Sequence, residues 1–173
     1  LRSCDSTIAR SIVDEATGHI GAYDGIRTIR KQLMSEFLKS NDIHLKPGVT
    51  EFLNCVADLS LKKVIVTSAS PDEKYAMLTK YGIADFFDDI VSVKDVIRNK
   101  PFPDVYQFAC KKLGFMPGEC YAIEDSPNGI ISAYDAGVHV IMIPDLTEPD
   151  EDIKEKCLVF NKIDQIPLQL FRV

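Results

Sequence analysis

Four short apolar runs, separated by stretches of helical character, constrain this chain more than any other feature. They read KKVIVTS, DDIVSV, CYAIED and VHVIMIP, each rich in Val and Ile and bounded by charged or turn-forming residues. Runs of this kind suit strands buried on both faces, which is the pattern of a parallel sheet. Between them, residues 50–59, 71–81, 103–113 and 128–136 show apolar residues at helical spacing. Ser70-Pro71-Asp72-Glu73 and Ser126-Pro127-Asn128-Gly129 open two of these helices with a capping serine and a proline at the first helical position, and Gly82 and Gly137 stop them. Strand and helix alternating over short links predict an α/β fold, a Rossmann-like doubly wound parallel sheet, from Lys46-Pro47-Gly48 onward. The tail LVFNKIDQIPLQLF adds an edge strand.

Residues 1–45 have a different texture, polar and without a strand-like run. Ile26, Ile29, Leu33 and Phe37, with Leu38 beside them, form one apolar stripe of a helix, and a shorter helix is expected over residues 6–15 with Gly18 as its stop. Two units are therefore expected, 1–45 helical and 46–173 α/β.

Composition narrows the partners. The 173 residues carry 20 Lys and Arg against 26 Asp and Glu, a formal charge of -6, which disfavours nucleic acid. No apolar stretch approaches the ~18–20 residues that cross a bilayer, so neither a membrane nor a secretory route is expected, and the reading is cytoplasmic. Five cysteines, odd in number and never in a C-x-x-C pair, predict reduced and mostly buried thiols.

In open parallel sheets, ligands bind beyond the carboxyl ends of the strands. The first strand delivers Thr67-Ser68-Ala69-Ser70 there, hydroxyls and backbone N–H groups at a helix start, a setting for an anion such as phosphate or simply a helix cap. The stretch after the second delivers Lys100 within RNKPFPD, an ammonium on proline-stiffened backbone that either neutralises a phosphoryl group or is solvated. The third delivers Glu124-Asp125, adjacent carboxylates that call for a cation; magnesium suits such hard oxygen donors, and a solvated strand end is the alternative. The fourth delivers Pro144-Asp145.

VIVTSAS, then NKPFPD, then AIEDSPNGIISAYDAG resemble the second, third and fourth motifs of the haloacid dehalogenase superfamily, in the branch of β-phosphoglucomutase-like phosphatases. The match covers roughly residues 47–145 and implies that residues 1–45 are a partial helical cap. The resemblance implies that Ser68 hydrogen-bonds the transferring phosphoryl, with Thr67 as the alternative. Lys100 would bridge phosphoryl and nucleophile, Ala69 and Ser70 would bind phosphate oxygens, and Glu124 and Asp125 would hold Mg2+. Arg30 and Lys31 are weaker candidates for gripping the substrate.

The first motif of that family, D-x-D-x-[TV] on an N-terminal strand, has no counterpart. The only D-x-D, Asp150-Glu151-Asp152, follows no apolar strand and is rejected as a nucleophile. The expectation is that the natural protein carries that strand upstream, in mid-sheet, and that the chain as it stands is inactive. The expected function is a magnesium-dependent phosphatase of small phosphorylated metabolites, sugar phosphates foremost, through an aspartyl-phosphate, acting as a monomer or weak dimer. A phosphomutase and a non-catalytic metal- or phosphate-binding remnant are the alternatives.

Overall fold

The computed structural model describes residues 6–40, 44–68 and 71–171. The chain divides into two compact units, residues 1–45 and 46–173.

The first unit contributes helices α1 (Ser6–Thr17) and α2 (Ala22–Ser40). The Asp14 carboxylate accepts from the N–H groups of Gly21 and Tyr23 at 3.0 and 3.2 Å, closing the turn between them, and Arg10 pairs with Asp24. Ala9 and Val13 of α1 are buried. The stripe predicted on α2 is there, but Ile26, Ile29, Leu33, Met34 and Phe37 are each more than half exposed. A stripe of that spacing reads as core-facing; among the described residues of this unit only α1 packs on α2, and one short helix does not span it.

The second unit is built on parallel strands. β1 (Val64–Thr67) pairs with β2 (Asp89–Ser92), β3 (Tyr121–Glu124) with β4 (His139–Met142), and β4 with β5 (Leu158–Val159). Parallel neighbours need crossovers, and helices supply them: α4 (Pro71–Lys80) from β1 to β2, α6 (Pro127–Asp135) from β3 to β4, and the short α7 (Glu151–Lys154) from β4 to β5, while α5 (Asp104–Leu113) links β2 to β3, which do not pair. α3 (Val49–Ala57) precedes β1. The larger core joins Val91, Val105, Ile130, Ala133, Val140 and Met142. A second cluster gathers Phe52, Val56 and Ile166 around Ile141. Alternation along β4 sends Ile141 to one face and Val140 and Met142 to the other, so the clusters lie on opposite faces.

The sheet is interrupted between β1 and β3, giving a two-stranded and a three-stranded sheet among the described residues. The Asp88 N–H donates to the Lys63 carbonyl at 2.7 Å. With polar groups alternating sides along a strand, Val64 and Val66 therefore direct theirs away from β2. On β3, the carbonyls of Cys120 and Glu124 accept from His139 and Ile143 at 3.0 and 2.9 Å, which directs the backbone polar groups of Tyr121 and Ile123 away from β4. These two edges explain a departure from the sequence reading, which expects all four runs to be buried on both faces. β1 is half-buried throughout, and Tyr121 and Ile123 are each 38% exposed; only β4 is buried over most of its length.

The thiols also differ from expectation. Among the described cysteines Cys110 alone is buried, while Cys55 is exposed and Cys120 and Cys157 are intermediate; Phe52, Leu53 and Val56 take the inward face of α3 and leave Cys55 on its outer one. No described helix is long and apolar enough to cross a membrane.

Candidate active site

The carboxyl ends of β1 and β3 meet around one ammonium. Lys100, 8% exposed, pairs with Glu124 Oε1. Its Nζ also lies 3.3 Å from the Tyr106 hydroxyl and 3.5 Å from the Val66 carbonyl on the open edge of β1, and 4.9 Å from the centre of the Tyr106 ring. An ammonium has three N–H donors, and here each has a partner. The Tyr106 hydroxyl donates to the same Glu124 oxygen. Burial first, then the neighbouring Glu124 charge and hydrogen bond, push the Tyr106 hydroxyl well above the ordinary tyrosine range, so it stays protonated and remains a donor.

Glu124 sits where it does because α6 begins beside it. Ser126 caps that helix, its Oγ accepting from the Gly129 N–H at 3.3 Å, and Pro127 occupies the first turn. A Cβ built on Gly129 would overlap the Glu124 carboxylate; glycine is what lets the acid lie against the helix start, where the dipole favours negative charge.

The loop that carries Lys100 is held at three points. Arg98 grips Asp104 through two hydrogen bonds of 3.0 and 2.8 Å, raising its own pKa and lowering that of Asp104, and its guanidinium lies 4.8 Å from the centre of the Phe102 ring. The Phe102 N–H donates to the Asn99 carbonyl at 3.0 Å. Fully buried Ser132 on α6 donates to the Phe102 carbonyl at 2.6 Å. At the end of β2, Ser92 and Asp95 form a capping box, with the Ser92 N–H donating to Asp95 at 2.7 Å.

The residues singled out from sequence thus fall into distinct groups. Lys100 and Glu124 are in direct contact, and Asp125 follows at the exposed end of β3. Ser68 is exposed just past β1, and Thr67 is half-buried at its last position. Ala69 and Ser70 lie outside the described residues. Arg30 and Lys31 are exposed on α2 in the other unit. Asp145 pairs with Lys46 at 2.7 Å. Sequence reasoning passed over Tyr106 and Ser132. The signal for Tyr106 was faint: it stands six residues past Lys100, in the first turn of the following helix, with its ring on the buried side.

The donor set for a cation is incomplete in these residues. Asp125 is an accessible hard ligand, but Glu124 already accepts from an ammonium and a phenol through one oxygen. No group of three or more His, Cys, Asp or Glu that could hold a metal occurs among the described residues. The described residues by themselves do not fit a complete magnesium site.

The model of the haloacid dehalogenase-like hydrolases matches residues 3–143. The chain belongs to that family. It is 31% identical over 137 residues to hexitol phosphatase A of Escherichia coli K12, an alignment spanning 76% of this chain and 60% of that protein. Among solved structures, a haloacid dehalogenase hydrolase of family IA, variant 3, from Entamoeba histolytica matches 94% of this chain and 76% of its own with a TM-score of 0.78 at 23% identity. β-Phosphoglucomutase from Clostridium difficile matches 72% of this chain and 53% of its own with a TM-score of 0.59 at 26% identity, which places this haloacid dehalogenase-like chain in the β-phosphoglucomutase-like branch. The chain spans between about half and three fifths of the length of the first relatives it matches, 59%, 52% and 55%.

Proposed function

We propose that the protein is a phosphatase of small phosphorylated sugars or sugar alcohols, working at the carboxyl ends of β1 and β3. The observation that carries this reading is the buried Lys100 ammonium, fixed by Glu124 and Tyr106 between two open strand edges. A cation so placed neutralises charge on a transferring phosphoryl group. Ser68, and Thr67 beside it, stand at that end of β1 and would hydrogen-bond the phosphoryl oxygens; Ala69 and Ser70, outside the described residues, are proposed as further phosphate contacts. The likeness to a hexitol phosphatase supports the substrate class.

The nucleophile of the proposal is an aspartate on a strand lying between β1 and β3, paired in parallel with the edges marked by Val64 and Val66 and by Tyr121 and Ile123. Among the described residues no strand pairs with those edges, and one more strand would join the two sheets into one. Attack by that carboxylate on phosphorus would expel the sugar hydroxyl and leave an aspartyl-phosphate, which water hydrolyses. The same strand would have to bring the oxygen ligands that Asp125 and Glu124 lack for Mg2+, a cation that in such a site offsets phosphoryl charge.

The test is phosphate release from a panel of hexose, pentose and hexitol phosphates by the full-length protein, with and without magnesium. Lys100→Ala and Asp125→Ala should each lower kcat ~10²–10³-fold, the range for losing one electrostatic contact to the transition state. Unchanged rates in both variants refute the site. The likeness to a β-phosphoglucomutase favours a second reading, transfer to a sugar hydroxyl rather than water. Turnover of β-glucose 1-phosphate only in the presence of a bisphosphate primer would select it.

A further inference from the structure

We infer that Tyr106 is the positioning residue of this site, holding Lys100 and Glu124 in register so that Lys100 can turn to an anionic ligand while Glu124 keeps a hydrogen-bond partner. The inference rests on the phosphatase reading and deepens it. Tyr106 is 6% exposed, and its hydroxyl is bound to both members of the ion pair: it accepts from Lys100 Nζ at 3.3 Å and donates to Glu124 Oε1. Its ring lies under the ammonium at 4.9 Å. Its backbone is fixed independently, its N–H donating to the Pro103 carbonyl at 3.1 Å, and its side chain belongs to the larger core with Val105, Ala109 and Ile130. The hydroxyl is thus a rigid point to which two long, rotatable side chains are tied.

The consequence is mechanical. Lys100 spends all three donors inside the protein, so a phosphoryl oxygen must displace one of them, and the longest contact, to the Val66 carbonyl at 3.5 Å, is the first to yield. When Lys100 turns to a phosphoryl, Glu124 keeps the Tyr106 hydroxyl. Without the hydroxyl, that move leaves the nearly buried Glu124 carboxylate with one partner fewer.

The experiment has two readouts on Tyr106→Phe, which retains the ring and the packing. Pulse acylation of the 173-residue chain, read by mass spectrometry, should label Lys100 at least ~5-fold faster in Y106F than in wild type, with Lys46 and Lys111 unchanged as internal controls. In the full-length protein with p-nitrophenyl phosphate, kcat should fall ~10–100-fold, the worth of a hydrogen bond to a charged group, with KM within about threefold. A purely structural tyrosine would move all lysines together or none. Wild-type labelling and wild-type kcat in Y106F overturn the inference. If wild type turns over no phosphoester, the phosphatase reading falls while the labelling still decides the role of Tyr106. If Y106F does not fold, Tyr106→Met takes its place; failure of both to fold while Glu124→Gln folds assigns Tyr106 to the core and also overturns the inference.

Discussion

Replacing Lys100 with Met keeps the length of the side chain and removes its charge. Glu124 then retains the Tyr106 hydroxyl but loses the only cation bound to it among the described residues. The two side chains are 8% and 9% exposed, so water screens the loss little, and breaking such a pair from one side costs ~3–5 kcal/mol. For a protein of this size each kcal/mol moves the melting temperature by ~2–4 °C, hence a fall of ~6–20 °C. The double variant Lys100→Met/Glu124→Leu removes both charges and should recover most of that, less ~1–3 kcal/mol for the Tyr106 hydroxyl left without its acceptor. Adding Tyr106→Phe should return stability further toward wild type. Urea unfolding with a chelator present, combined as a double-mutant cycle, measures each term. A single variant within ~1 kcal/mol of wild type would mean that the pair is effectively solvated, and the reasoning from burial would be refuted.

Gly129→Ala forces a methyl into the Glu124 carboxylate; a loss of ~1–3 kcal/mol in the same unfolding assay is expected, and a neutral result would show that Glu124 does not lie against α6. Burial, followed by its contact with Cys120, pushes the Cys110 thiol up to about 12, so iodoacetamide at pH 8 should alkylate exposed Cys55 and leave Cys110 unmodified in the native state; equal labelling refutes the packing of α5. Asp88 is held below the ordinary carboxylate range by the Lys62 ammonium first, at 2.7 Å, and then by the Lys63 N–H at 2.8 Å. Its contribution is therefore present above the unfolded value of ~3.9 and lost as pH falls through the lower folded value. The stability gap between wild type and Asp88→Asn should be constant from pH 7 to pH 5 and close below pH ~4; a gap that widens on acidification contradicts the sign.

Much of the architecture is legible in local chemistry. Runs of Val and Ile bounded by charged or turn-forming residues mark β1 to β4 because β-branched side chains suit a pleated, partly buried surface, and Ser126-Pro127 marks the start of α6 because its geometry is set within four residues. What escaped was set by neighbours far away in the chain. The exposure of Tyr121 and Ile123 depends on what pairs with the far side of β3, which no local window contains. The stripe on α2 reads as core because periodicity reports a face and not its cover. In the site, Lys100 and Glu124 were visible as charges at strand ends, yet their direct pairing was not: twenty-four residues of chain separate them, and the sequence reading assigned one to phosphate and the other to metal. Tyr106 looked like one more aromatic on the buried side of a helix, its hydroxyl meaningful only once β3 was in place.

Phosphate is expected to bind among the end of β1, the Lys100 ammonium and the first residues after β3. Titration of the 15N-labelled chain with inorganic phosphate in the presence of Mg2+, followed by amide NMR, tests it most directly. Shifts gathered at Thr67, Ser68, Lys100 and Asp125, and abolished by Lys100→Met, are the predicted result. Shifts confined to other surfaces, or an unchanged spectrum at tens of millimolar phosphate, would contradict it.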